Sequence, residues 1–347
     1  MSRVRVELIK SEVIEPRVTS RAARDALPRL GIWPMSVGVI VHGLNTSYVN
    51  AIRRMLLGEL ETLALVMDPA SWQTDDDFAI FEMIARRITL IPIDQDHVQA
   101  GMTFALDARN DSDDPRDVMT GELVPSGRTG ARATLPFFET INIVTLGPHR
   151  SIKFNVSVER GIGSAEFAPA SVAVCKPLDQ RPMTDEDYVE PELPYAETAQ
   201  RLTCASVSNP HVHLLEFELT GTHDIRAILT RAVDALAARV AHIGTAPIVI
   251  ADAGLDVGAD PVPVHVIKMQ GETYTIGQLF THVCLESFPT LDSAVCNVDD
   301  LTSELSIRIR ASIDKPEAVI ERTLAIITEN LQLLRSAFES MPAHGRK

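Results

Sequence analysis

The sequence predicts an α+β protein made of two units, each a sheet with amphipathic helices, paired within one chain and interrupted by an inserted β-rich domain. Three observations carry that expectation. Strand-like segments run straight into helix-period apolar stripes; the order strand, helix, strand, helix recurs near the carboxy end; and a long stretch of short strand-like runs and polar loops splits the first unit.

Residues 3–14 and 37–43 alternate or concentrate β-branched side chains, as strands do. Asn45, Thr46 and Ser47 follow, each with an oxygen able to cap a helix. Within that helix, expected to reach residue 60, Tyr48, Ile52, Met55, Leu56 and Leu60 recur at three- and four-residue spacing and form one apolar stripe, with Arg53 and Arg54 beside it. From residue 61 to 205 the pattern becomes irregular. An acidic cluster at 74–77, a polar loop at 107–117 and the strand-like runs INIVTLG and SIKFNVSVE fit an inserted β-rich domain, and the acidic, proline-containing segment 179–194 reads as an exposed loop.

Strand-like alternation returns at 211–221, and Thr222 or Asp224 starts a helix whose Ile225, Leu229, Ala232, Leu236 and Val240 share one face, with Gly244 just past its end. The first unit is therefore discontinuous, 1–60 and 206–243. Residues 244–261, rich in Gly, Ala, Asp and Pro, suit a linker. A second unit occupies 262–340: the strand PVHVIKM, a helix from about Thr275 carrying Ile276, Leu279 and Phe280, the strand ELSIRIRA, and a long helix. Asp314, Pro316 and Glu317 give that last helix a capping-box-like start. Its Ile320, Leu324, Ile327, Leu331, Leu334 and Phe338 step by alternating fours and threes, a stripe suited to packing on another helix. Residues 341–347 form a tail.

Composition narrows the function. The chain has 347 residues, 45% hydrophobic, enough for two or three globular units with real cores. Its net charge of −15 disfavours broad contact with a phosphate backbone, and no apolar run is long enough to suggest a membrane span or a secretory leader, so an intracellular protein is expected. The four cysteines, Cys175, Cys204, Cys284 and Cys296, form no CxxC, so neither a metal nor any other cofactor is expected. The catalytic inventory is thin. His211 and His213 sit at the spacing of one strand face and could form a metal pair, and Asp75, Asp76 and Asp77 could attract a cation, but neither has a further ligand fixed by sequence. No GxxxxGKT, GxSxG or HExxH occurs.

The stretch HGLNTSYVNAIRRMLLGELETLALVMD at 42–68 resembles the signature of the third-largest subunit of eukaryotic RNA polymerase II, shared by its archaeal counterpart and by the amino-terminal domain of the bacterial α subunit. The match runs through Ala51, Ile52, Arg53, Arg54, Met55, Leu56, Leu57 and Glu59. DDDFAIFEMIARRITLIPID resembles the family's next segment through Asp76, Asp77, Phe78, Arg87, Leu90, Ile91 and Pro92, and GSAEFAP at 163–169 is similar to a third. GETYTIGQLF, from Gly271, resembles the small partner of that protein, which is the eleventh polymerase II subunit in eukaryotes and has an archaeal counterpart of its own. That match runs through Glu272, Thr275, Ile276, Gly277 and Leu279; Tyr274 stands where the partner usually has His.

The resemblance implies a fused heterodimer, a non-catalytic assembly platform for the two largest polymerase subunits and for the small subunits beside them, of the kind found in large DNA viruses. It implies residence in the virion and host cytoplasm for a viral protein, or in the nucleus otherwise. It further implies that Arg53, Arg54, Glu59, Asp76, Asp77 and Arg87 face the large subunits. The rival readings are a stand-alone protein-binding module with no polymerase role and an enzyme using the histidines at 211 and 213.

Overall fold

The computed structural model describes residues 4–13, 35–95, 98–126, 135–137, 139–163, 165–178, 211–219, 224–246, 248–251, 264–289, 291, 293–310 and 316–341. The chain opens with β1 (Arg5–Val13) and β2 (Met35–His42), turns at Gly43, and enters α1 (Thr46–Arg54). Asn45 caps α1, its side chain accepting from Ser47 N at 3.1 Å. The helix expected to run unbroken to residue 60 changes character at Met55–Glu59, which forms a π-helical turn before β3 (Thr62–Met67).

Next come β4 (Gln73–Thr74), α2 (Phe81–Thr89), β5 (Thr103–Arg109), β6 (Arg116–Met119), β7 (Val124–Pro125), β8 (Asn142–Leu146) and β9 (Ser151–Gly161). Strands β3, β9, β5 and β7 lie in that order in one antiparallel sheet, with β4 also on β9, while β6 pairs with β8. This region has a hydrophobic core of its own around Phe104, Phe137, Phe154 and Ile88.

The chain returns through β10 (Ala170–Pro177), β11 (Val212–Leu219) and α3 (Ile225–Ile243), then adds β12 (Ile248–Ala251), β13 (Val264–Gln270), α4 (Tyr274–Ser287), β14 (Ser293–Asp299), β15 (Glu304–Arg310) and α5 (Pro316–Glu339). Two of these strands lie outside the domains expected for them. β10 falls within the expected insert, 61–205, yet it hydrogen-bonds along β11, so the insert's own sheets end at β9. β12 falls within the expected linker, yet it pairs with β13, because its backbone groups complete the edge of that sheet. Asp224 caps α3 by accepting from Arg226 N; Thr222, Asp314, the loop 179–194, the rest of the linker from 252, Cys204 and the tail from 342 lie outside the described residues.

The two larger sheets follow one plan. Their orders are β1, β2, β11, β10 and β12, β13, β15, β14, and each is served by a helix after its second strand and another after its last. Alternation along β2 and β11 places Val39 opposite Leu215 and Val37 opposite Phe217 on the buried face, and the second sheet does the same with Ile267 opposite Ile307 and Met269 opposite Leu305. The turns into α1 and α4 match too: Gly43 (φ 81°) and Gly271 (φ 75°) both take the left-handed conformation, which a side chain would resist.

α1 packs on α4, and α3 packs on α5, so one continuous hydrophobic core runs from Val39 and Ile52 through Leu229 and Leu236 to Phe280, Leu331 and Phe338. α4 presses so closely on its sheet that a Cβ at Gly277 would lie 2.8 Å from Cys296 Cβ.

Candidate functional site

Two of the three segments that carry the first resemblance, 42–68 and 75–94, are near neighbours in sequence; the third, 163–169, is remote, and all three meet at the junction of β3 with α2. Thr62 donates to the Phe167 carbonyl, Arg86 Nη1 lies 2.9 Å from Glu166 Oε2, and the Gln95 side chain brackets Leu63, donating to its carbonyl at 2.8 Å and accepting from its N–H at 3.2 Å. Between them is a shallow concavity of about 100 Å³ bordered by Leu63, Thr89, Pro92, Glu166 and Pro169. Met83 on α2 and Leu90 just after it, at the concavity's edge, are exposed, and Phe78 just before the helix is 91% exposed. Large apolar side chains left in solvent around one short helix are a feature of surfaces that bind other proteins.

The residues expected to face the large subunits divide into three kinds. Arg53 is half-buried, its Nε donating to Asn50 Oδ1 at 2.7 Å, and Arg54 is exposed at the end of α1. Asp77 and Arg87 are exposed on the insert, with Arg87 Nη1 donating to the Ile143 carbonyl at 3.1 Å. Asp76 and Glu59, by contrast, turn inward. Asp76 is buried and accepts from Phe78 N at 3.0 Å and Gly147 N at 2.8 Å, so its carboxylate ties two loops of the insert together. Its neighbour Asp75 is exposed, and the Ser151 N–H bonded to it holds its carboxyl below the usual range.

Glu59 closes a network between the two sheet-and-helix units. Its Oε2 pairs with Arg239 Nη1, whose Nη2 lies 2.7 Å from Glu272 Oε2; Thr275 donates to Glu59 Oε1 at 2.5 Å, and Arg54 Nε lies 3.3 Å from the same oxygen. Burial raises the Glu59 pKa, but the bonds from Thr275 and Arg239 and the charges of Arg239 and Arg54 outweigh it, holding the carboxyl below its ordinary value. The π-helical turn ends on this residue. Sequence reasoning placed Glu59 on an outer surface and overlooked Arg239. The available signal was a cation set between Leu236 and Val240 on an otherwise apolar helix face.

Of the residues expected to pair the units, Tyr48, Ile52, Met55, Leu56, Leu229, Leu236, Ile276, Leu279, Phe280, Ile320, Ile327, Leu331, Leu334 and Phe338 are buried in the shared core; Leu324 is half-buried against it. Tyr48 also accepts a hydrogen bond from Asn330 Nδ2 at 2.9 Å, and burial, with the Glu286 charge nearby, pushes its phenol well above the ordinary value despite that bond. The histidines separate: His213 is buried with Nε2 2.9 Å from Thr46 Oγ1, whereas His211 is exposed. Among the described residues no three His, Cys, Asp or Glu side chains gather as a metal site would require, and no helix is long and apolar enough to cross a membrane.

This α+β architecture is compatible with the α-like subunits of RNA polymerases, and two sequence relatives belong there. No family model matches the chain. It is 28% identical over 151 residues to DNA-directed RNA polymerase subunit Rpo3 of Thermococcus kodakarensis, covering 40% of this chain and 54% of the relative. It is 28% identical over 149 residues to DNA-directed RNA polymerase subunit Rpo3 of Pyrococcus furiosus, covering 40% and 53%. The chain thus spans about half the length of the curated relatives it matches. These likenesses support an α-like RNA polymerase subunit.

Proposed function

We propose that this chain is a non-catalytic assembly subunit of a multisubunit DNA-dependent RNA polymerase in which both halves of the platform heterodimer are carried on one polypeptide. The observation that carries the reading is the shared core beneath two sheets of the same strand order, with α1 on α4 and α3 on α5. Separate subunits would have to find one another; a covalent link replaces that encounter with an effective concentration on the order of millimolar and fixes the ratio at one to one. Such a link suits a polymerase encoded compactly, as in a large DNA virus.

On this reading the large subunits dock on two surfaces. One holds Arg53 and Arg54 at the end of α1, where guanidinium groups suit bidentate contacts with carboxylates or carbonyls; the other holds Phe78, Asp77 and Arg87 around α2. Tagged chain, co-expressed with the two largest subunits of its polymerase, is expected to retain them at high salt. The double variant Arg53→Ala, Arg54→Ala is expected to melt within a few degrees of the parent yet lose about tenfold or more in capture, since truncating an interface arginine commonly costs about 2 kcal/mol. Parent protein that elutes alone under these conditions would leave a stand-alone binding module as the better description.

A further inference from the structure

The internal repeat exposes a difference between two equivalent places. Aligning Gly43 with Gly271 sets α1 on α4 and matches the helix caps Asn45 and Thr273. Aligning Leu229 with Ile320, Leu236 with Ile327 and Val240 with Leu331 matches the buried faces of α3 and α5 and puts Arg239 opposite Asn330. Each cap reaches a carboxylate at the far end of the facing helix: Thr273 donates to Glu59 Oε2 at 3.3 Å, and Asn45 Nδ2 donates to Glu286 Oε2 at 2.5 Å. In the first place a guanidinium, Arg239, fills the space between the cap and two carboxylates. In the second the equivalent side chain is the short, neutral Asn330, turned to Tyr48, Leu44 stands where the first place has Glu272, and a cavity of about 230 Å³ remains, bordered by Leu44, Asn45, Tyr48, His211, Glu286 and Asn330.

We propose that this cavity receives the guanidinium of an arginine presented by a partner protein, which pairs from outside with the single carboxylate there as Arg239 pairs from within with two. Glu286 supplies the anion, and a planar guanidinium can bond a carboxylate through two parallel donors, whereas an ammonium offers only a point charge. The excess of acids over the whole chain, −15, adds a long-range pull on cationic surfaces. The assembly reading enters only in naming the partner, a neighbouring polymerase subunit; the chemistry of the cavity stands apart from it.

The full chain, titrated with N-acetylarginine amide and followed by NMR, is expected to show saturable one-to-one shifts at residues lining the cavity, with N-acetylcitrulline amide, neutral and of the same shape, giving none. Glu286→Gln, on an exposed side chain, should weaken the interaction about tenfold or more. Asn330→Arg should fill the site from within, abolish the shifts and raise the melting temperature. Absence of saturable shifts, shifts unchanged by Glu286→Gln, or tighter binding of spermidine than of the arginine probe would each overturn the proposal. Probe binding that persists in a chain unable to capture large subunits would sink the assembly reading and leave this one standing.

Discussion

Arg239 is the residue whose removal tests most. Its side chain is 21% exposed between Glu59 and Glu272, at 15% and 10%, so truncation would leave two poorly solvated carboxylates facing each other. Arg239→Ala is expected to cost about 2–4 kcal/mol in chemical denaturation, most of it from the stranded charges and little from lost attraction. Glu59→Gln combined with Glu272→Gln in that background should recover part of the loss; a loss that the double replacement leaves untouched would assign it to packing.

The same network sets a pH dependence. The folded pKa of Glu59 lies below its ordinary 4.5, so its stabilising contribution is fully present above that value and is lost as pH falls through the folded pKa. The melting temperature of Glu59→Gln should therefore lie furthest below the parent's near neutral pH, and the gap should close on acidification. A gap constant from pH 7 to about 3 would show that the carboxylate charge contributes nothing.

At the scale of the element, α5 gives the sharpest contrast. Leu331 is 1% exposed in the shared core, and Leu333, two residues on, is 44% exposed. Leu331→Ala is expected to destabilise by about 3 kcal/mol through lost transfer energy and a residual cavity. Leu333→Ala should stay within about 0.5 kcal/mol. Equal effects in denaturant melts would mean that the helix is rotated from the position described. The heptad-like stripe in the sequence chose the right face, because apolar periodicity reports which side of a helix leaves water. Leu324 lies on the same face but is only half-buried, packed against the core beside Gly244.

For the whole molecule, the decisive question is whether the covalent link is needed once folding is complete. Residues 1–246 and 247–347, co-expressed as two chains, are expected to co-purify, because β12 travels with the second sheet while α1 and α3 retain their faces for α4 and α5. Their association should weaken on dilution, which the single chain would not show. Two soluble fragments that never associate would contradict the shared core.

The long helices and the strands that border them were legible in the sequence, since each is specified by a period along a few neighbouring residues, whereas α2, β3, β5, β10 and β12 lie in stretches whose local pattern is irregular. The recurrence of strand, helix, strand, helix near the carboxy end is two such patterns in the same order. What tertiary structure alone decided is where non-neighbours meet: β10 joining β11 across a long intervening stretch, β12 completing a sheet edge, Glu59 turning inward to Arg239, and Asp76 closing two loops. A backbone hydrogen-bond ladder and a buried carboxylate are both satisfied by whichever partner the fold brings near, and local sequence carries no mark of that partner.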